Sequence, residues 1–335
     1  MELSLARTKL DYVIQLSRVE MYKPIQIAEI LREFKTNKSI NPSKLETFRN
    51  LSRELRNKVT LELMDKVSTS SMRFQDDLWN ESAIPPAALV ALFNANQNNR
   101  VEEYIYQHVY SKSGQMIHIR KKLDSTKTVA DIEAIFGLFN EEGLRTSADR
   151  LFEVFALTVL QTQIDGSDFT FSLSGNSSTV SGDTGKKLIS IVESQKNNLE
   201  LAKMGHTNAA DAGLDIWTNF GVVVSVKNYN LDEDLLLQVL SDTPVGLLTV
   251  ICKTSSSHLA KNLGRISKNR PIVIITREEL IVDAGLLLAK EKSAMIFIQK
   301  FISFFDKEFP LATSLESFML KRNYSITPPN LTKWV

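Results

Sequence analysis

Two nearly continuous apolar runs in the second half of the chain constrain its fold more than any other feature. They cover residues 245–252 and 271–276, and neither shows the alternation of apolar and polar residues seen in a strand with one face in water. Such runs are typical of strands buried on both faces of a sheet, which needs helices on each side. The chain is therefore predicted to contain an α/β core.

Other segments carry the periodicity of helices or strands. Apolar residues recur at helical spacing in segments 5–20, 25–34, 146–163, 186–204, 232–240 and 294–305. Strands are expected over 169–173 and over 214–218 and 222–227, and the last two read as a hairpin across Asn219-Phe220-Gly221. Residues 175–185, rich in Gly, Ser and Thr, are expected to form a loop.

The order of these elements predicts the fold class and its organisation. Helices fill the first part of the chain, and strands mixed with helices fill the rest. The class is therefore α/β (α+β), with a mixed sheet flanked by helices behind a helical region. We expect a mainly helical region over residues 1–143 and the sheet-containing core over residues 144–335.

Composition limits where the chain works and what it binds. Cys252 is the one cysteine, so no disulfide forms within the chain, which fits a reducing cytoplasm. Neither a secretory signal nor a run near the ~18 apolar residues of a membrane span is found. The net charge of +1 argues against a non-specific basic coat for nucleic acid. We expect a cytoplasmic protein without a membrane segment.

The hairpin places two chemically useful side chains together. Val223, Ser225 and Lys227 point to one face of the second strand. If the turn centres on Phe220, Asp215 lies across from Ser225, and its carboxylate emerges beside the Lys227 ammonium. A carboxylate holds a divalent metal, and an adjacent ammonium positions water and balances phosphate charge. The pair is suited to phosphodiester hydrolysis. However, an Asp twelve residues before a Lys is a common spacing, and a Lys at the end of a strand is usually solvated.

This hairpin resembles the site of the PD-(D/E)XK nuclease superfamily, in which an acid on one strand faces an acid-x-Lys on the next. Asp215 matches the first acid and Lys227 matches the lysine. Longer stretches are similar to type II restriction endonucleases of the HaeII kind. These stretches are residues 10–14, 22–31, 67–78, 83–86 and 213–221.

Ser225 departs from the superfamily pattern, because it stands where the second acid is expected. Serine binds a hard cation poorly, so another carboxylate should complete the site. Glu153, in the helix before the sheet, is the first candidate. Glu233 and Asp242 are the reserves, although acids at a helix start or end are ordinary, and Gln238 could support the site from the same helix.

Two polar groups in the helical region are candidates for DNA contact. Arg49, Arg53 and Arg56 are spaced four and three apart, which puts them on one helix face. Arginine pairs bidentately with guanine, but such residues are also ordinary surface partners of glutamate. Arg73 and Gln75 follow a run of hydroxyl residues suited to backbone and base-edge contacts.

The resemblance implies a function and partners. It implies Mg²⁺-dependent, site-specific cleavage of double-stranded DNA, with Asp215 and Glu153 on the metal and Lys227 orienting water. It further implies a palindromic target of the purine-GCGC-pyrimidine type, a homodimer and a partner DNA methyltransferase. Two alternatives stay open: a repair or junction nuclease of the same superfamily, and a non-catalytic DNA-binding protein whose core has decayed at Ser225.

Overall fold

The structure is a computed structural model, and it confirms the predicted class. It describes residues 2–17, 22–44, 46–64, 78–140, 144–165, 201–203, 215–218, 222–242, 247–266, 272–309 and 312–324. Helices and a mixed sheet make up this described part of the chain.

Helices fill the first part of the chain. They are α1 (Glu2–Leu16), α2 (Tyr22–Phe34), α3 (Glu46–Met64), α4 (Pro86–Ala95), α5 (Arg100–Asp124) and α6 (Val129–Leu138). Most apolar residues at helical spacing in α1 and α2 are buried, among them Leu10, Ile14, Ile27 and Ile30, whereas Leu16 at the end of α1 is 49% exposed. Burial of such a stripe, rather than helix propensity alone, stabilises short helices. Residues 101–110, which are rich in aromatic side chains, belong to α5, and this helix extends well beyond them.

The remaining elements mix helices and strands. They are α7 (Ala148–Asp165), β1 (Leu201–Lys203), β2 (Ile216–Thr218), β3 (Val222–Leu231), α8 (Glu233–Asp242), β4 (Leu247–Ser255), α9 (Ser257–Ile266), β5 (Ile272–Thr276), α10 (Arg277–Leu288), α11 (Glu291–Glu308) and α12 (Ala312–Leu320). The described strands form one sheet in the order β1-β2-β3-β4-β5. β1, β2 and β3 pair antiparallel, whereas β3, β4 and β5 pair parallel.

Helices cover both faces of this sheet, as the apolar runs predicted. On one face, Val224, Val226 and Ile251 pack in a core with residues of α7, α10 and α11. On the other face, Leu248, Val250 and Cys252 pack against α8 and α9. The strand register places Ser225 beside Val250 and Lys227 beside Cys252, so these two polar side chains belong to the face of α8 and α9.

A separate core holds the helical region together, and the end of the chain contributes to it. Leu315, Phe318 and Met319 of α12 and the following Tyr324 are buried among residues of α1 to α5. α5 spans the two cores, since its first half belongs to this one and its second half to the core around α7. The division of the chain at residue 143 stays a prediction.

Buried ion pairs join the chain end to α2. Arg322 donates to both carboxylate oxygens of Glu29, at 2.8 and 3.0 Å, and lies 3.3 Å from Glu62 of α3. The Tyr106 hydroxyl donates to Glu29 at 2.5 Å. Buried charges need such partners, because an unpaired one costs several kcal/mol.

Part of the predicted element order is wrong. Residues 201–203, expected at the end of a helix, form β1, because Gln161 and β2 supply partners for their backbone groups. The helix α9 was not predicted, yet a parallel crossover from β4 to β5 requires such a connection. The strand expected over 169–173 and the loop over 175–185 lie outside the described residues.

Candidate active site

The predicted hairpin of β2 and β3 brings Asp215 to the middle of the sheet. Ile216 pairs with Val224 and Trp217 with Val223, and the Asp215 N–H donates to the Val224 carbonyl at 3.0 Å. Asp215 directly precedes β2, and the antiparallel register continues to place it opposite Ser225. The pairing of β2 with β3 therefore positions the Asp215 carboxylate over β3.

The Asp215 carboxylate is held on one side by three groups of β3. Its Oδ2 accepts from the Val226 N–H at 2.6 Å and from Lys227 Nζ at 3.2 Å, and Ser225 Oγ lies 3.4 Å away. The Asp215 and Lys227 side chains are 19% and 23% exposed, so the ion pair is shielded but reachable. Charge-assisted bonds of this kind fix a carboxylate in place.

The other oxygen, Oδ1, makes no hydrogen bond with any residue that the structure describes. A partly shielded carboxylate with one uncommitted oxygen fits one ligand position of a hard divalent cation. Within the described ranges, no group of three His, Cys, Asp or Glu side chains converges on such a position. Mg²⁺ often takes one or two protein carboxylates and completes its shell with waters and phosphate oxygens, so the single acid fits that cation.

A β-bulge follows Lys227 directly. Lys227 pairs with Cys252 and Asn230 with Thr254, so β3 uses one residue more than β4 between these two pairs. Bulges redirect side chains and are common beside active sites. Here the Asn228 amide donates to Asp149 of α7 at 3.1 Å, whereas the Tyr229 ring packs against the core formed with α8 and α9.

Tyr229 follows Lys227 by two residues on β3, near enough to Asp215 for that charge to act on its phenol, and sequence reasoning missed it. Burial first, and then the negative charge of Asp215, raise the pKa of the Tyr229 phenol; Cys252, Asp232 and Asp242 add to the rise. The phenol therefore remains protonated at neutral pH and can donate a hydrogen bond. The available signal was its position two residues after Lys227, because strand residues two apart share a face.

Glu153, the predicted second acid, occupies α7 as expected. Its carboxylate accepts from Arg150 at 3.0 Å, and Arg150 Nε lies 3.6 Å from Glu308 of α11. The Glu153 side chain is only 12% exposed, in line with the apolar neighbours in its sequence. Asp149 lies one turn earlier on the same helix face and contacts Asn228 of β3. α7 packs on the sheet face opposite to the one that carries the Lys227 side chain. A metal-binding role for Glu153 stays a prediction.

The reserve residues all lie on α8. Glu233 pairs with the exposed Arg265 of α9 at 3.3 Å, and Gln238 is exposed. Asp242 is also exposed, but its charge reaches Tyr229. A role of any of these three residues in the site stays a prediction.

The candidate DNA-contact residues divide into described and undescribed ones. Arg49 donates to the Trp79 carbonyl at 3.1 Å, which ties α3 to the segment before α4. Arg53 is exposed on α3, and Arg56 belongs to the same helix, although its side chain lies outside the described part. Arg73 and Gln75 lie outside the described residues. A DNA contact by any of the five stays a prediction.

None of the described helices is long and apolar enough to cross a membrane. No solved structure matches the chain significantly.

Most of the chain is similar to known restriction enzymes. It is 33% identical over 299 residues to "Type II restriction enzyme HaeII" of Haemophilus aegyptius, which covers 84% of each chain. It is 30% identical over 339 residues to "Type II restriction enzyme NgoBI" of Neisseria gonorrhoeae, covering 96% of this chain and 97% of the relative. The family model of the HaeII restriction endonuclease matches residues 6–324. The chain therefore belongs to the HaeII restriction endonuclease family, whose named members are type II restriction enzymes.

Proposed function

We propose that this chain cleaves both strands of DNA at a specific site, by Mg²⁺-dependent hydrolysis in a PD-(D/E)XK-type centre. The observation that carries the proposal is the 3.2 Å contact between Lys227 and Asp215 on adjacent strands, in a chain of this family. A carboxylate with one oxygen that no described residue engages, beside an ammonium, suits an anionic substrate that is attacked by water.

Each residue of the centre has a proposed task. Asp215 Oδ1 and Glu153 would hold the cation, which when bound stabilises negative charge on the phosphate and lowers the pKa of a bound water. The Val226 N–H and Ser225 Oγ hold Asp215 in one orientation through its Oδ2. Lys227 keeps its ammonium beside that carboxylate, where it orients the attacking water and balances charge that develops on the phosphate.

The proposed substrate is a short GC-rich palindrome of the purine-GCGC-pyrimidine type. A two-fold symmetric target calls for two matched subunits, so we propose a homodimer. Residues 1–143 would help to grip and read DNA, with Arg49, Arg53, Arg56, Arg73 and Gln75 as the candidate contacts. A DNA methyltransferase that protects the same site would be the partner, and the cytoplasm the place of action.

Digestion of a sequenced plasmid tests the proposal. We expect discrete fragments with Mg²⁺, no cleavage with EDTA, and fragment ends that map to one palindrome after end sequencing. Prior methylation of that palindrome should block cleavage. Cleavage confined to branched DNA would favour the repair or junction nuclease, whereas tight binding without cleavage in Mg²⁺ or Mn²⁺ would favour the non-catalytic protein.

A further inference from the structure

Tyr229 has a hydroxyl group that donates no hydrogen bond to any residue that the structure describes. Its ring is half-buried and packs against the core formed with α8 and α9. Its hydroxyl makes no hydrogen bond with a described residue, and it is not among the buried polar atoms without a partner. The hydroxyl is thus held by a packed ring and remains accessible to solvent or to a ligand.

The surroundings of this hydroxyl make the lack of a partner informative. The charges of Asp215, Asp232 and Asp242 all reach the phenol, and a carboxylate is the strongest acceptor a phenol can find in a protein. By contrast, two tyrosines of α5 donate to carboxylates: Tyr104 donates to Asp11 at 2.6 Å, and Tyr106 donates to Glu29 at 2.5 Å. The Tyr229 hydroxyl is therefore held near acids without being committed to them.

Strand alternation explains why the Tyr229 side chain is on the α8 and α9 side of the sheet, because residues two apart in a strand share a face. Lys227 shares its face of the sheet with Cys252, and that face packs on α8 and α9. Asn228, between the two, points to the opposite face and contacts Asp149 of α7, whereas Tyr229 packs on the α8 and α9 side. The side chains of Tyr229, Lys227 and Asp215 therefore lie on the same face of the sheet.

We propose that the Tyr229 hydroxyl is a further catalytic group, which donates a hydrogen bond to a non-bridging oxygen of the scissile phosphate. The inference rests on the proposed function, because it assigns a residue to the same reaction. A neutral donor suits this position, since it adds no charge beside Lys227 and strengthens its bond as charge grows on the phosphate oxygens. No proton is transferred and no bond to tyrosine forms.

Tyr229→Phe tests the proposal with the full-length chain and a DNA duplex that carries the cleavage site. The variant loses one hydrogen bond to a charged group, so we expect its single-turnover cleavage rate to fall by about tenfold to a hundredfold. The affinity for the duplex in Ca²⁺ without cleavage should change by less than about threefold, because the ground state gains little from this bond. The Tm should stay unchanged, since no protein hydrogen bond is lost.

Ser303→Ala is the control, because it also removes one hydroxyl group, from an exposed position of α11, which packs on the other face of the sheet. It should cleave at the wild-type rate. A wild-type rate for Tyr229→Phe would overturn the inference while Lys227→Ala still supports the proposed function. A lower Tm that accounts for the lost activity would also overturn it, because the hydroxyl would then be structural. A wild-type chain that cleaves no DNA would overturn both.

Discussion

Lys227 Nζ lies 3.2 Å from Asp215 Oδ2 although the two residues stand on different strands. The backbone N–H of Val226 also donates to that oxygen, so the carboxylate is fixed by the strand that carries the lysine. A slip of one residue between β2 and β3 would turn one of the two side chains to the other face of the sheet and separate the pair. The catalytic arrangement thus depends on the hairpin itself.

Lys227→Ala should reduce DNA cleavage by at least about a hundredfold, because it removes the cation that balances phosphate charge in the transition state. Cleavage of a plasmid is the measurement, with duplex binding in Ca²⁺ as the check that the protein still recognises DNA. Lys253→Ala is the control, since Lys253 is exposed one residue beyond Cys252 on the neighbouring strand. Equal cleavage by the two variants would contradict the role of Lys227.

Glu153→Gln should raise the Mg²⁺ concentration needed for cleavage and lower the maximal rate, because the site would lose its second carboxylate. Metal titration of the cleavage rate measures both effects. Asp165→Asn, at the other end of α7 and paired with Lys300 at 2.7 Å, serves as the control. If Asp242→Asn raises the required Mg²⁺ concentration more than Glu153→Gln does, then Asp242 on α8, and not Glu153, is the second metal ligand.

Arg322→Met should destabilise the folded chain by about 3–5 kcal/mol, because it leaves Glu29 buried without its ion-pair partner. Urea unfolding followed by circular dichroism gives the free energy. Lys321→Met is the neighbouring control; Lys321 is 63% exposed in its pair with Glu62, so its loss should cost less than about 1 kcal/mol. If Arg322→Met also cost less than about 1 kcal/mol, this network would not anchor the segment around Arg322.

The same network predicts an acid sensitivity. Burial works to raise the pKa of Glu62, but the charge and hydrogen bond of Arg322 outweigh it and lower that pKa below its ordinary value of 4.5. A carboxylate with a depressed pKa in the folded state stabilises the fold above its unfolded pKa and loses that contribution as pH falls. Stability should therefore drop below about pH 4.5, and Glu62→Gln should make the drop shallower in urea unfolding at each pH.

Cys252 should react slowly with a thiol reagent in the native protein. It is fully buried, and burial raises the pKa of its thiol to about 11. At pH 8 labelling should therefore follow the opening of the sheet, and it should become fast in denaturant. A C252A/T254C variant is the control, because Thr254 is exposed on the same strand. Rapid labelling of native Cys252 would contradict the packing of β4.

Local patterns predicted much of the fold. The hairpin, the two buried strands and the helices α1, α2, α7, α8 and α11 follow from periodicity and turn residues, which are properties of short segments. The Asp215–Lys227 candidate pair also follows from spacing, because strand alternation converts a count of residues into a shared face.

Tertiary structure decided the rest, because the interactions involved link distant parts of the chain. Glu29 and Arg322 are separated by 293 residues, and no local pattern pairs them. β1 forms at residues 201–203 because β2 offers an edge there, although the sequence predicts a helix. The bulge after Lys227 exists only in the register between β3 and β4. Sequence therefore determined the type of most elements and the likeness to a nuclease, whereas long-range packing decided which side chains surround the candidate site.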